Sequence, residues 1–345
     1  MTLPDINKLS GQAADIYYML SPKNLISSYK PVEIQTTKTS DNKYLPKSSL
    51  GLKLLSVYAN YEKLFNFSKK LGVEKNIEWP LKVVVDATVG SEGFPVELGL
   101  QNTIYFSSYS GNRVPPYLNP GLIAQHEFLR LFSPKKEGMP FKFLTPSKDV
   151  VEVSQDKYNR LLFGVIQEGL ASYFGYIFSG SEDFHEKSYP NINADKEVSR
   201  VFKTNMDMDW LGADGLAEFI SRIENPTVFS KVSTTLDPEY LELASRLESI
   251  EQIPQALGRI FGSMVFDLSR EMSPTEELKS EEVLIKNVIS KIPGYINKMG
   301  KSPGSLEVSV VDFFKVVFSK EMKNPSFCER TQQMLKYESE LISCE

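Results

Sequence analysis

At 345 residues, with 41% apolar and 24% charged side chains, the chain has the composition of an ordinary globular protein and the length for two domains or one two-lobed unit. A net charge of −5 and the lack of any basic run of five or more residues argue against nucleic acid or an acidic membrane surface as the main partner. No apolar stretch approaches the roughly 18 residues of a membrane span, and residues 1–10 lack a charged segment followed by an apolar core, so neither a span nor a leader is expected in the chain.

Residues 1–48 open with a short amphipathic stretch (Ile6, Leu9, Ala13, Ile16, Tyr17, Leu20). They then turn polar, with 36–42 reading as loop or edge strand, which makes a lead-in rather than a domain. From Ser49 to Leu71 the apolar residues Leu52, Leu55, Tyr58, Leu64, Phe65 and Leu71 keep helical spacing, with Gly72 placed to end the helix. The β-branched run Leu81–Asp86 predicts a buried strand and Asn102–Phe106 a second. Asn119-Pro120 supplies an N-cap and a first-turn proline for a helix over 121–132. A long helix is expected over 154–178, its Gly164, Gly169 and Gly175 marking close packing against a neighbour. Beyond it, helical spacing recurs at 215–223, 239–250, 253–272, 282–298 and 306–322.

Two segments carry candidate chemistry. His126-Glu127-Phe128-Leu129-Arg130 follows the H-E-x-x-H pattern, in which histidines one helical turn apart hold zinc and the glutamate acts as general base on a metal-bound water. Arg130 occupies the second ligand position. Its guanidinium has donors only and stays protonated, so it cannot coordinate zinc. Four residues along an α-helix return nearly to the same face, which puts His126 and Arg130 side by side with Glu127 one step round. The second segment is Gln167-Glu168-Gly169-Leu170-Ala171-Ser172-Tyr173-Phe174-Gly175, whose glutamate lies 41 residues after Glu127.

Together these segments resemble the gluzincin metallopeptidases, especially the fungalysin-like and thermolysin-like branches, whose N-E-G-x-A-D-x-F-G segment supplies the third zinc ligand. The resemblance extends over roughly 50–275 and includes Ile260–Arg270. It implies an α+β protein: a zincin-like N-terminal lobe with a small sheet and paired active-site helices (49–180) after the lead-in (1–48), followed by a mainly helical lobe (181–345). It also implies His126 and Glu168 as remnant metal ligands, Glu127 as the remnant general base, and Arg130, Ser172 and Tyr173 as further residues of the remnant site.

Three departures separate the chain from that family. Arg130 replaces a ligand, Ser172 replaces the supporting aspartate, and no histidine follows His185 to stabilise an oxyanion. Dropping one of four ligands forfeits about 2.5 to 4 kcal/mol of zinc affinity, two to three decades, and losing the supporting carboxylate about 10 to 100-fold more. The expected function is therefore that of a catalytically inactive metallopeptidase homologue, without cofactor, acting as a binding or structural protein for a peptide or protein ligand. The alternative is an active zinc peptidase with an atypical ligand set drawing on His185 or a carboxylate; an acid/base pair of Glu127 and Glu168, as in glycoside hydrolysis, ranks last. Arg130 is expected to fill the vacated metal position and neutralise Glu168. Apart from any ligand role, His126 reads as a half-buried histidine, His185 as an exposed loop residue, and Tyr173 as the aromatic of its segment facing a cleft. Cys328 and Cys344 are disulfide candidates: a bridge would tie down the terminal segment in an oxidising compartment and fit export to a periplasm or the medium, whereas free thiols would fit the cytosol.

Overall fold

The computed structural model of the protein describes residues 8–18, 31–41, 43–87, 95–96, 103–107, 114–132, 141–143, 155–181, 183–185, 187–188, 253–298, 300–302, 305–335 and 342–344. It is a mixed helix-and-strand protein of the α+β class. The chain divides into two compact units, Met1–Glu127 with Gly175–Glu197 and Phe128–Phe174 with Val198–Glu345. The expected helices at 215–223 and 239–250 lie outside the described residues.

In the first unit a sheet of order β1-β4-β6-β5 joins β1 (Ala14–Tyr18), β4 (Leu81–Ala87), β6 (Thr103–Ser107) and β5 (Pro95–Val96). The first three run parallel, Ala14 opposite Leu81 and Val83 opposite Ile104, and β5 is antiparallel to β6. Val83, Val84 and Val85 are all buried, as a continuous β-branched run is when a strand is covered on both faces. The lead-in is thus part of this unit's core. Ala14 and Ile16, two apart, are both buried, and pairing with β4 sets a strand period on residues whose spacing is ambiguous in the sequence. The 36–42 stretch forms β2 (Thr36–Lys38), paired antiparallel with β3 (Tyr44–Pro46).

Helix α1 (Ser49–Leu71) has the predicted bounds. Ser48 Oγ accepts from the Gly51 amide at 3.0 Å, and Leu54, Val57, Tyr58, Tyr61, Leu64 and Leu71 form its buried stripe. Gly72, at φ 69°, closes it with a Schellman motif: its amide donates to Lys69 O and that of Val73 to Ser68 O, both at 2.9 Å.

Further on lie α2 (Pro120–Leu129), β7 (Phe141–Phe143), α3 (Gln155–Ser179), α4 (Ile253–Glu271) and α5 (Ser280–Lys298). They are followed by β8 (Gly300–Ser302), β9 (Ser305–Val308), α6 (Val310–Val317) and α7 (Pro325–Met334). The helix expected over 306–322 instead begins as β9, which pairs parallel with β7 and antiparallel with β8. Ser309 then caps α6 by accepting from the Asp312 amide at 3.2 Å. The second unit's core is aromatic: Phe163 meets Phe313 edge-on at 5.5 Å, Phe314 stacks on Phe318 at 5.5 Å, and Phe318 meets Phe327 at 5.2 Å. Cys328 and Cys344 form a disulfide, with Cα atoms 5.6 Å apart.

Among the described residues one helical stretch, Arg160–Ser179, is long and apolar enough to cross a membrane by length and composition, contrary to the expectation that none approached it. Of its apolar window 61% is buried within the protein, as in a core helix that is apolar on most of its circumference.

Candidate functional site

Asn119 starts α2 as its sequence position predicts. Its Oδ1 accepts from the amides of Gly121 and Leu122 at 3.1 and 3.4 Å, while its Nδ2 donates to Phe184 O at 2.6 Å and Ser188 Oγ at 2.8 Å. One buried side chain thereby caps the helix and holds Phe184 and Ser188 against it. The α-helical ladder ends at Leu129, and Arg130–Phe132 form a 3₁₀ turn. A 3₁₀ turn advances about 120° per residue against about 100° in an α-helix. The continuous α-helical face expected to carry His126 and Arg130 therefore stops one residue short of Arg130.

His126 is half-buried, as expected, and Glu127 has 0% exposure. Both belong to the first unit. The Tyr61 hydroxyl of α1 donates to Glu127 Oε1 at 3.5 Å. Sequence reading missed this partner. Its signal was a pair of tyrosines, Tyr58 and Tyr61, within an otherwise aliphatic stripe, since a buried tyrosine brings a hydroxyl that needs a polar neighbour.

Arg130, Glu168, Ser172 and Tyr173 belong to the second unit. Glu168 and Ser172 are half-buried, and Tyr173, expected to face a cleft, is fully buried. Glycines set the position of Glu168. A Cβ on Gly169 would strike the Gly258 carbonyl oxygen and lie 2.9 Å from the Gly262 nitrogen, and one on Gly258 would lie 2.8 Å from Glu168 Cβ. Gly258 and Gly262, four apart, give α4 a groove into which α3 sinks. Next to Gly258 stands Arg259, a cation only 8% exposed that sequence reading also missed. A lone arginine amid Leu257, Ile260 and Phe261 was the available sign.

The glycine expectation for α3 holds at its other two positions. A Cβ on Gly164 would lie 3.0 Å from Pro254 Cγ, and in the first unit a Cβ on Gly175 would come within 2.6 Å of Gly121 O and 2.8 Å of Phe184 Cζ. In the second unit Phe128 and Phe174 bring their rings to 5.2 Å. His185, expected at the surface, is 4% exposed, with its ring 4.2 Å from that of Phe184. The physical reason is the notch left by Gly121 and Gly175: Phe184 fills it and draws the next residue in.

A second polar cluster lies in the first unit at the carboxyl end of β4. Lys53 Nζ meets Asp86 Oδ2 at 2.7 Å and stands 4.7 Å above the Tyr117 ring. Burial works to lower the Lys53 ammonium, but its bonds to Asp86 and Tyr117 outweigh it and hold the group above the ordinary lysine value. Burial also pushes the Tyr117 phenol up. Asp86 adopts φ 57° at a register shift between Val85 and Ala87, a left-handed conformation that aspartate tolerates better than most residues.

Among the described residues no group of three or more His, Cys, Asp or Glu side chains is placed to hold a metal ion. The donor set of the motif does not suit zinc either, because Arg130 offers no lone pair. Comparison with known proteins found no matching family model, curated protein or solved structure.

Proposed function

We propose that the chain is a metallopeptidase-like protein without peptidase chemistry that acts by binding a peptide or protein. The observation that carries this reading is Arg130 at the position of the second histidine, which replaces an imidazole lone pair with a fixed positive charge. Two further features support it. Glu127, the would-be general base, has 0% exposure and accepts a bond from Tyr61, whereas a base acting on water must reach it. The helix that carries the motif also tightens at Arg130 rather than continuing past it. In this reading Arg130 supplies the positive charge that a metal brings in an active relative, and Glu168 is its expected partner. An exported location is part of the same proposal, with the Cys328–Cys344 bridge as its support.

The test is metal stoichiometry and zinc titration of the purified chain beside Arg130→His. The unaltered chain is expected to bind no stoichiometric zinc, and Arg130→His to gain measurable affinity by restoring the ligand pattern. One tightly held zinc per unaltered chain, together with peptide hydrolysis, favours the active-peptidase alternative; an Arg130→His chain indifferent to zinc overturns the family reading itself.

A further inference from the structure

Of the six large hydrophobic side chains exposed among the described residues, four stand between positions 44 and 52: Tyr44, Leu45, Leu50 and Leu52. Tyr44 and Leu45 lie on β3, and Leu50 and Leu52 in the first turn of α1. The two elements meet at Gly51, where a Cβ would lie 3.2 Å from Pro46 Cβ, so the buried glycine anchors the corner and the leucines on either side of it stay outside. Leu45 and Leu52 are each 56% exposed.

Lysines surround this apolar corner. Lys38, Lys43 and Lys47 are all exposed, and Lys38 Nζ lies 5.9 Å from the Tyr44 ring. Asp41 is the one acid between 38 and 53, and Lys43 engages it at 2.7 Å. The corner is therefore positive on a chain of net charge −5. Screening over about 8 to 10 Å makes the local sign decide what docks here.

We infer that this hairpin–helix corner docks on an anionic lipid bilayer surface. Leucines entering the acyl boundary, a tyrosine at headgroup level and lysines extending their stems toward anionic headgroups form the usual division of labour at such an interface. A four-residue apolar corner is small for a stable protein partner, which takes about 800 Å² from each side. It is ample for peripheral, reversible membrane contact. This inference is independent of the peptidase resemblance.

The experiment is co-sedimentation of the full chain with phosphatidylcholine vesicles and with vesicles containing about one third phosphatidylglycerol, at low and high salt. Binding is expected to the anionic vesicles alone and to weaken with salt. Leu45→Glu with Leu52→Glu, and separately Lys43→Glu with Lys47→Glu, should each weaken it about tenfold or more, since each Lys–anion contact contributes several-fold and reversal adds repulsion. All four positions are exposed, so melting temperatures should stay unchanged and show that the variants fold. Absence of binding to anionic vesicles overturns the inference, as does binding that survives both variants. Concentration-dependent self-association lost in the leucine variant, without vesicle binding, assigns the corner instead to contact between copies of the chain.

Discussion

Gly258 of α4 lies against Glu168 of α3 so closely that a Cβ on the glycine would sit 2.8 Å from that of the glutamate. Backbone atoms and Cβ carbons line this crossing, with the Gly258 carbonyl against Gly169. Gly258→Ala is expected to destabilise the protein by about 1 to 3 kcal/mol, as overpacking does where the neighbours are the Glu168 Cβ and backbone, which no rotamer change moves away. Gly294 supplies the control. It is an exposed glycine within α5 with nothing within 4 Å of its would-be Cβ, so Gly294→Ala should stabilise by about 0.5 to 1 kcal/mol through helix propensity and chain entropy. Paired thermal or urea melts check both signs.

The Cys328–Cys344 bridge closes a 16-residue separation, and Gln332 Nε2 donates to Ile342 O at 2.7 Å inside that loop, with Ile342 buried. A loop of this size is worth about 3 kcal/mol when closed by a disulfide. Cys344→Ser should lower stability by about that amount. The melt of the unaltered chain should fall to meet it on adding reductant, while the variant's stays put. A melt indifferent to reductant in both proteins would show that the bridge carries no stability.

Local features were the legible part of the sequence. Gly72 and Asn119-Pro120 each specify a helix end by chemistry that acts over three or four residues, and those ends lie where the sequence places them. Pairing decided the rest. Ala14–Tyr18 and Ser305–Val308 are strands because a distant strand lies beside them, a relation that periodicity within the segment does not encode. At the candidate site the residue types pointed to Glu127 and Glu168. The Tyr61 bond and the Gly258 groove join positions far apart in sequence, and burial of His185 depends on the notch at Gly121 and Gly175.

The Tyr61–Glu127 contact gives a test of what holds the motif glutamate. Both side chains are fully buried, so Tyr61→Phe removes a donor while leaving the ring packing intact. The expected cost is about 0.5 to 1.5 kcal/mol, the net worth of one hydrogen bond. Adding Glu127→Gln in the Tyr61→Phe background should cost less than the same change made alone, the non-additivity that a direct contact produces. Strict additivity in this double-mutant cycle, read by urea melts, would show that the two do not interact.

Lys53 and Asp86 yield a prediction with a defined pH sign. The folded-state value of Lys53 lies above the ordinary one because its bonds to Asp86 and Tyr117 outweigh a burial effect acting downward. A group raised on folding stabilises fully below its unfolded value, near 10.4, and that contribution is lost as pH rises through the folded value. Stability should thus be insensitive to this pair through neutral pH and decline above about pH 10. Lys53→Met should cost about 1 to 2 kcal/mol near neutrality, between the values for exposed and buried pairs, and should flatten part of the alkaline decline. At the partner position, Asp86→Asn keeps a residue that tolerates φ 57° and loses only the charge, whereas Asp86→Ala should cost about 1 kcal/mol more because the left-handed backbone then falls on an ordinary Cβ. Equal losses for Asn and Ala, measured by urea melts at neutral pH, would mean that the backbone there relaxes and the φ carries no cost.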